Sequence, residues 1–389
     1  MAVSKTKRRE NGSGYIYQRE NGKWVGRLYD GVKSDGSPKI KYFSGKSEAE
    51  VKKKIREYNK SGLKIDIKKI TVKEYILNWL AVYKKDSLKP SSYDRLENTV
   101  KHQVIPNIGM IQLQQLNSDD IQSLLNQLKS EAYSYSTIKK VHDCLNDVLT
   151  HATIKGDIVK NPMLLVKMPE KNLFETKEIR YFNKQEIALI KEECERKYKN
   201  GNLKYGYGDV YILMLNTGLR MGEVIGLEKA DWDKENKTLH IQRNVQSIMK
   251  RDKNGERIKG RELNYNTTKT YSGDRILPVN KTATEALERL CAKSSDEIQY
   301  IVCQTNGKTV PPDRIERTFY RILKNIGIEK TGTHSLRHTF ASILFADKVD
   351  IKTVSKLLGH ASIQITLNTY IHLIENIEHE AVALLDDIF

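Results

Sequence analysis

The chain has 389 residues, a length that predicts two or three domains. Its 66 Lys and Arg against 49 Asp and Glu give a net charge of +17, which indicates a polyanionic partner. The 39% hydrophobic and 8% aromatic residues exclude a disordered basic tail, and four cysteines without a C-x-x-C pair exclude a disulfide framework and a cysteine zinc site.

The amino-terminal 69 residues carry most of this charge. They hold 19 Lys and Arg against 8 Asp and Glu, and so contribute +11 of the +17. Three short segments alternate in polarity and are separated by turn residues such as Asn21-Gly22, a pattern that predicts strands. The predicted strands are Tyr15 to Gln18, Lys23 to Tyr29 and Lys39 to Phe43.

Strand alternation sorts the two faces of this predicted sheet. The apolar face is expected to hold Trp24, Leu28, Ile40 and Tyr42, and the basic face Lys23, Arg27, Lys39 and Lys41. A helix from the Ser47/Glu50 capping box to about Asn59 would cover the apolar face. The basic face then fits a DNA major groove, although a small sheet with solvated lysines has the same pattern.

Residues 70–165 are predicted to be mostly helical. Apolar residues recur at spacings of three and four around Ile76, Ile121 and Ile138, which indicates a module of four or five helices. The segment from Asn161 to about Thr176 contains Pro169 and few apolar residues, a composition typical of a linker.

From about residue 180 the pattern becomes mixed. A capping box at Asn183 and Glu186 begins a helix, and strands are predicted at Thr238 to Gln246 and Arg275 to Val279. These strands flank a predicted basic loop that contains Arg251, Lys253, Arg257, Lys259 and Arg261. The predicted fold class is therefore multidomain and mainly α with small β-sheets: a three-stranded sheet plus helix, a helical domain and a mixed α+β domain.

The first candidate for chemistry is the pair His334 and Arg337. Thr333 can cap a helix that begins at His334, which would place both side chains at a helix N-terminus and away from the core. An imidazole and an arginine fork there suit a phosphate, although, taken alone, the pattern more often comes from two ordinary surface residues. A zinc pair of His334 and His338 is disfavoured, because Ser335 replaces the glutamate of H-E-x-x-H and Arg337 would repel a dication.

Arg220 and Lys269 are two further cationic candidates. Arg220 follows a helix that breaks at Gly218 and opens the next helix, in which Glu223 can hold the arginine in place. Lys269 is expected in a hairpin, where a lysine can reach a leaving oxygen. Neither residue is distinctive alone, because arginines at helix starts and exposed loop lysines are common.

His360 and Tyr370 complete the set of candidates. His360 follows Gly359, the expected stop of a helix that ends in Leu357-Leu358. Tyr370 comes ten residues later. A phenol is a poor nucleophile at neutral pH unless cations surround the phosphate that it attacks, so Tyr370 would need the cationic candidates around it.

Taken together, these residues resemble the tyrosine recombinases, the phage-integrase family. The family's arginine, lysine, histidine-x-x-arginine, histidine and tyrosine are matched in order by Arg220, Lys269, His334-x-x-Arg337, His360 and Tyr370. The T-G-L-R-x-x-E and L-G-H contexts match as well, and the likeness extends over the whole chain to integrases of Gram-positive conjugative transposons. The segment from Gln246 to Arg261 departs from the pattern, because it is longer than a minimal hairpin.

The resemblance implies three domains and their partners. Residues 1–65 are expected to bind arm-type DNA sites, residues 68–168 to bind core-type sites, and residues 178–389 to form the catalytic domain with a carboxyl-terminal tail. The implied activity is site-specific recombination that integrates and excises a mobile element through a 3′-phosphotyrosyl intermediate, without metal or cofactor. The implied assembly is a homotetramer on double-stranded DNA, with an excisionase and a DNA-bending protein as accessory partners.

The resemblance also implies a role for each candidate residue. Tyr370 attacks the scissile phosphate, Arg220 and Arg337 clamp its non-bridging oxygens, and His360 donates a further hydrogen bond. Lys269 is the implied general acid for the 5′-oxygen, and His334 assists proton transfer at the tyrosine.

Two other classes of protein remain as alternatives. A type IB topoisomerase shares the catalytic core, but the basic amino-terminal domain and the apolar tail favour recombination. A catalytically inactive DNA-binding regulator of the same fold would not need the six residues together.

The tail has an apolar stripe at three- and four-residue steps, from Ile371 to Ile388, which is expected to dock either on its own domain or on a neighbouring protomer.

The remaining patterns concern localisation. The longest apolar run, Val210 to Leu215, is far shorter than the roughly 18 residues of a membrane helix. Residues 1–20 show no signal peptide. We therefore expect a cytoplasmic, DNA-associated bacterial protein without a membrane partner.

Overall fold

The computed structural model describes residues 15–32, 38–60, 70–174, 179–267, 273–295 and 297–370. The chain divides into two compact units. One unit comprises Met1–Ser87 and Leu96–Leu173, and the other comprises Leu88–Arg95 and Phe174–Phe389. Within the described ranges, no helix has both the length and the apolarity that a membrane span requires. The protein is mainly helical, with small sheets, as the sequence predicts.

The amino-terminal sheet has the predicted three strands. Strands β1 (Tyr15–Gln18), β2 (Trp24–Val32) and β3 (Pro38–Gly45) are antiparallel with β2 in the middle, and helix α1 (Glu48–Lys60) follows. Val51 and Ile55 of α1 are buried against Leu28. Gly26 lies so close beneath α1 that an added Cβ atom would be 2.7 Å from the side chains of both Val51 and Ile55.

The predicted faces of β3 are wrong. Tyr42 pairs with Arg27 and is 58% exposed, whereas the Nζ atom of Lys41 lies 4.3 Å from the ring centroid of Tyr58 on α1. The cross-strand register decides these faces, and it turns Phe43 toward the helix instead of Tyr42. The outer face therefore combines basic and aromatic side chains.

The described residues 70–174 are helical, as predicted. The helices are α2 (Val72–Trp79), α3 (Pro90–Thr99), α4 (Ile105–Ile108), α5 (Ser118–Ser130) and α6 (Tyr135–Lys155). Single π-helical segments, Leu80–Lys84 and Val100–Val104, continue α2 and α3. Ile76, Ile121 and Ile138 are buried, which confirms the helical spacing. The predicted linker contains only short 3₁₀ turns, Pro162–Leu165 and Lys171–Leu173, in its described part.

The second unit contains the remaining helices. They are α7 (Lys184–Glu195), α8 (Gly208–Thr217), α9 (Met221–Ile225), α10 (Lys281–Cys291), α11 (Pro312–Asn325), α12 (His334–Ala346) and α13 (Ile351–Leu358), followed by helical residues 363–370. The predicted Asn183/Glu186 capping box begins α7. The apolar run from Val210 to Leu215 forms α8, which is buried on all sides and explains why the run has no polar face.

Two small sheets complete this unit. Strands β4 (Trp232–Asp233), β5 (Thr238–Ile241) and β8 (Arg275–Pro278) form an antiparallel sheet, and β6 (Arg243–Arg251) pairs with β7 (Arg257–Thr267) in a long hairpin. The predicted basic loop is wrong: Arg257, Lys259 and Arg261 lie on β7. Polar residues occupy both faces of these strands, and this hides the alternation that predicts a strand.

Candidate active site

Arg220 is placed by a tight turn between two helices. Helix α8 ends at Gly218, which has φ of +64° and ψ of +15°, and α9 begins directly after Arg220. A Cβ atom at Gly218 would lie 2.4 Å from the ring of Phe340, so the turn needs glycine for both its backbone conformation and its packing. The backbone N–H of Arg220 donates to Glu223 at 2.9 Å, and the guanidinium donates to the same carboxylate at 2.8 Å.

Glu223 also holds a second, buried arginine. Arg275, at the start of β8, donates to the two carboxylate oxygens of Glu223 at 3.3 and 3.1 Å, and its Nε atom donates to the carbonyl of Leu357 at 3.0 Å. Burial raises the pKa of Glu223, but the charges of Arg275 and Arg220 outweigh it and lower the pKa overall. Glu223 therefore stays ionised and fixes both arginines.

Helix α12 carries His334 and Arg337, and it begins at His334 as predicted. The predicted Thr333 side-chain cap is wrong, because the Thr333 hydroxyl donates to Glu316 at 2.7 Å instead. Arg337 was expected to point away from the core, yet it is only 1% exposed. Its guanidinium donates to the carbonyls of Gly218 and Leu358, both at 2.8 Å.

His360 lies where α13 ends. Gly359 stops this helix in the left-handed region, with φ of +65°, as predicted. The Nδ1 atom of His360 lies 2.7 Å from the hydroxyl oxygen of Thr366, which is fully buried. Burial and the charges of Arg337 and Arg220 lower the pKa of His360 to about 4, so the imidazole is neutral at neutral pH.

Tyr370 ends the described part of the chain and is 1% exposed. Its hydroxyl oxygen lies 2.8 Å from Nδ1 of His338, one turn beyond His334 on α12. Burial raises the pKa of Tyr370 to about 12, although the charges of Arg337 and Arg220 lower it. The charges of two arginines therefore act on the phenol.

These side chains line one cavity of about 500 Å³, whose walls include Arg220, His334, Arg337, His360 and Tyr370. Lys269 lies outside the described residues. Asn266 and Gly273, on either side of its segment, both line the cavity. Five of the six predicted residues thus meet at one place, from four separate segments of the chain.

The cavity has the charge that an anion requires. Arg220, Arg275 and Arg337 bring three guanidinium groups to Glu223 and to the last carbonyls of α13, which carry partial negative charge. Burial and the neighbouring Arg220 lower the pKa of Arg337, because the negative charge of Glu223 does not fully offset these two effects. A phosphodiester would supply the missing negative charge. Among the described residues, no group of three or more His, Cys, Asp or Glu side chains is placed to hold a metal ion.

Sequence reasoning missed two residues of this site. Arg275 was predicted only as the start of a strand, and His338 only as half of a disfavoured zinc pair. Spacing along the sequence cannot find them, because their partners Glu223 and Tyr370 lie 52 and 32 residues away. The one sequence feature that could have pointed to His338 is its position directly after Arg337.

Comparison with protein-family models gives two matches. Residues 180–376 match the phage integrase family, and residues 64–129 match the N-terminal SAM-like domain of phage integrases. The first match covers most of the unit that holds the cavity. The second covers part of the helical residues that precede it.

Comparisons with individual proteins agree with these matches. A tyrosine recombinase XerC-like protein from Caldanaerobacter subterraneus subsp. tengcongensis is 31% identical, over 95% of this chain and 98% of that protein. The solved structure of the Tn1549 transposon integrase in complex with a circular intermediate DNA is similar over 77% of this chain and 95% of that one, with a TM-score of 0.62 and 19% identity. A lambda integrase tetramer bound to a Holliday junction is similar over 89% of this chain and 95% of that one, with a TM-score of 0.55 and 16% identity.

Proposed function

The chain belongs to the phage integrase family and is a tyrosine recombinase, and from that premise we propose how its own residues cut and rejoin DNA. Tyr370 is the nucleophile. Its oxygen attacks the scissile phosphorus, the bond from phosphorus to the 5′-oxygen breaks, and a 3′-phosphotyrosyl link forms. Attack by a 5′-hydroxyl on that link reverses these bond changes and joins a new strand.

The cations of the cavity stabilise the transition state. In the proposed complex, Arg220 and Arg337 donate to the non-bridging oxygens, where negative charge increases as the phosphorus becomes five-coordinate. His360, neutral at neutral pH, donates its single N–H there from Nε2, while its Nδ1 accepts from the Thr366 hydroxyl. Arg275 stays paired with Glu223 and holds the site together.

Two protons must also move during cleavage. Lys269 is proposed to protonate the leaving 5′-oxygen, and the cavity residues Asn266 and Gly273, three and four positions away in the sequence, support this role. His334 is proposed to assist removal of the proton from Tyr370. Because the phosphotyrosyl link keeps the energy of the broken phosphodiester, the reaction requires neither ATP nor metal.

The observation that supports this proposal most strongly is the convergence of five predicted side chains on one cavity, with the phenol buried beside Arg337. A fold alone would not require this arrangement. An inactive DNA-binding regulator would have no need to keep a tyrosine and two arginines in contact with the same space.

We expect the protein to form a covalent adduct with DNA that carries its core site and a nick one or a few nucleotides from the scissile phosphate. Loss of the short 5′-hydroxyl fragment prevents rejoining, so the adduct accumulates and is visible on a denaturing gel. Absence of an adduct, with binding retained, would support the inactive regulator. Relaxation of supercoiled plasmid without integration between two plasmids would instead support a type IB topoisomerase.

The domain division also remains a proposal. We propose that residues 1–65 bind arm-type sites, residues 68–168 bind core-type sites and residues 178–389 catalyse. The exposed Arg27 and Tyr42 on the outer face of the amino-terminal sheet support the first part, since basic and aromatic side chains on a sheet face suit a DNA groove.

A chain that begins at Lys68 should bind and cleave core-site DNA but lose affinity for a second, distinct sequence. The physical reason is that the removed residues 1–67 carry +9 of the net charge and the outer sheet face. Footprints of the two proteins on DNA of the mobile element measure this. The full-length double variant Arg27→Ala and Tyr42→Ala is the matched control, and it should lose the same second footprint. Identical footprints for all three proteins would contradict the two-site arrangement.

We further propose that the protein acts as a homotetramer on DNA, integrating and excising a mobile element. The lambda integrase tetramer on a Holliday junction supports this assembly as an analogy. The tail, residues 371–389, lies outside the described residues, so its docking on the same or a neighbouring protomer stays a prediction. An excisionase and a DNA-bending protein are the proposed accessory partners, and the bacterial cytoplasm is the proposed location.

A further inference from the structure

The hydroxyl of Tyr370 has one described side-chain partner, and it is not one of the six family residues. Nδ1 of His338 lies 2.8 Å from this oxygen, a distance for a well-formed hydrogen bond. The two rings meet at 65°, with centroids 5.6 Å apart, so the imidazole approaches the phenol with its edge. This geometry connects α12 directly to the proposed nucleophile.

The surroundings of both rings restrict how they can move. Tyr370 packs against Phe345, with ring centroids 5.5 Å apart, and belongs to a small buried cluster with Val354 and Leu358. On its other side His338 meets the ring of His334 edge to face, with centroids 4.8 Å apart. The aromatic packing fixes the plane of the phenol, whereas the hydrogen bond to His338 sets the position of its oxygen.

The protonation states show the direction of this hydrogen bond. Burial and the neighbouring His334 and Arg337 lower the pKa of His338 to about 4, and burial raises that of Tyr370 to about 12. At neutral pH the imidazole is therefore neutral and the phenol keeps its proton. The phenol donates, and Nδ1 accepts, which requires the tautomer with its proton on Nε2.

We propose that His338 is a positioning residue for Tyr370: its Nδ1 accepts the hydroxyl hydrogen bond and holds the nucleophilic oxygen at the edge of the cationic cavity before DNA is cut. This inference rests on the proposed role of Tyr370. It separates two functions of histidine on α12, since His338 orients the phenol while His334 takes part in proton transfer. A misplacement of the oxygen by about 1 Å can slow a reaction by about 10²-fold.

The test replaces His338 with two amide side chains whose acceptor oxygens lie at different positions. Asn at 338 puts an amide oxygen at the position of Nδ1, one bond from Cγ, whereas Gln puts its oxygen near the position of Nε2. We would measure single-turnover adduct formation on the nicked core-site DNA for wild type, His338→Asn, His338→Gln and His338→Leu, with binding measured in parallel. Ser342→Ala is the matched control on the same helix, because its buried Oγ has no hydrogen-bond partner in the part of the chain that the structure describes.

The variants are expected to differ in cleavage rate. His338→Asn should cleave within a few-fold of wild type, and His338→Gln and His338→Leu should be slower by about 10²-fold, with DNA binding unchanged in all. Ser342→Ala should match wild type. Rescue by Asn alone is a result that general damage to the fold would not give.

Two results would overturn the inference while leaving the proposed function intact. Equal rates for all four proteins would show that the hydrogen bond has no role in cleavage. An equally slow Asn variant that still binds DNA would show that the imidazole is needed for its proton chemistry and not for its acceptor position. Failure of wild type itself to form an adduct would instead refute the proposed function, and this inference with it.

Discussion

Replacing Tyr370 with Phe is expected to reduce covalent adduct formation to background while leaving DNA binding nearly unchanged. In the proposed mechanism the phenol oxygen forms the new bond to phosphorus, and phenylalanine has no atom that can replace it. Binding depends on many cationic and shape contacts elsewhere, in a chain with a net charge of +17. The ring of residue 370 would still pack against Phe345, so the cavity should keep its shape.

The measurement is adduct formation on the nicked core-site DNA, with a gel-shift titration beside it. Tyr198→Phe is the matched control, because Tyr198 is 57% exposed and does not line the cavity. It should react like wild type. An adduct that persists in Tyr370→Phe would mean that another residue is the nucleophile, and the role proposed for the cavity would have to be abandoned.

Substituting Arg337 or Arg220 with Lys should slow cleavage by about 10²-fold or more in each case, by analogy with the loss of one oxyanion donor. A lysine keeps the charge but cannot donate two parallel hydrogen bonds to two phosphate oxygens. The effects on stability should differ between the two positions. Arg337 is 1% exposed and donates to two backbone carbonyls, whereas the Arg220 side chain is 36% exposed.

Arg337→Lys should therefore also lower the free energy of unfolding by about 1–3 kcal/mol, because one buried carbonyl loses its partner. Arg220→Lys should leave the melting temperature nearly unchanged. Single-turnover cleavage and thermal unfolding of each variant measure the two effects separately. Arg317→Lys, at a side chain that is 73% exposed, is the control for both. Cleavage within a few-fold of wild type in either cavity variant would assign that arginine a purely structural role.

The sequence by itself determined the local structure and identified the candidate residues that meet at the cavity. The three amino-terminal strands follow from alternation and turn residues, the start of α7 from a capping box, and the end of α13 from Gly359. These signals are short-range, since each depends on residues within a few positions of one another. The candidate residues were recognisable for another reason, because their order along the chain resembles that of the tyrosine recombinases.

Only the tertiary structure decided which side chains touch. On an isolated helix α12, Arg337 would point away from the apolar face that contains Leu336 and would be exposed. In the folded protein the α8–α9 turn and the end of α13 cover that side of the helix and bury Arg337. The strand β3 turns Phe43 inward for a similar reason, since its register with β2 is set by pairing across the sheet. The contact of His338 with Tyr370 joins positions 32 residues apart, and no periodicity along the chain encodes such a distance. Packing between elements decides these contacts, because the free energy of burying a face depends on the surface that meets it.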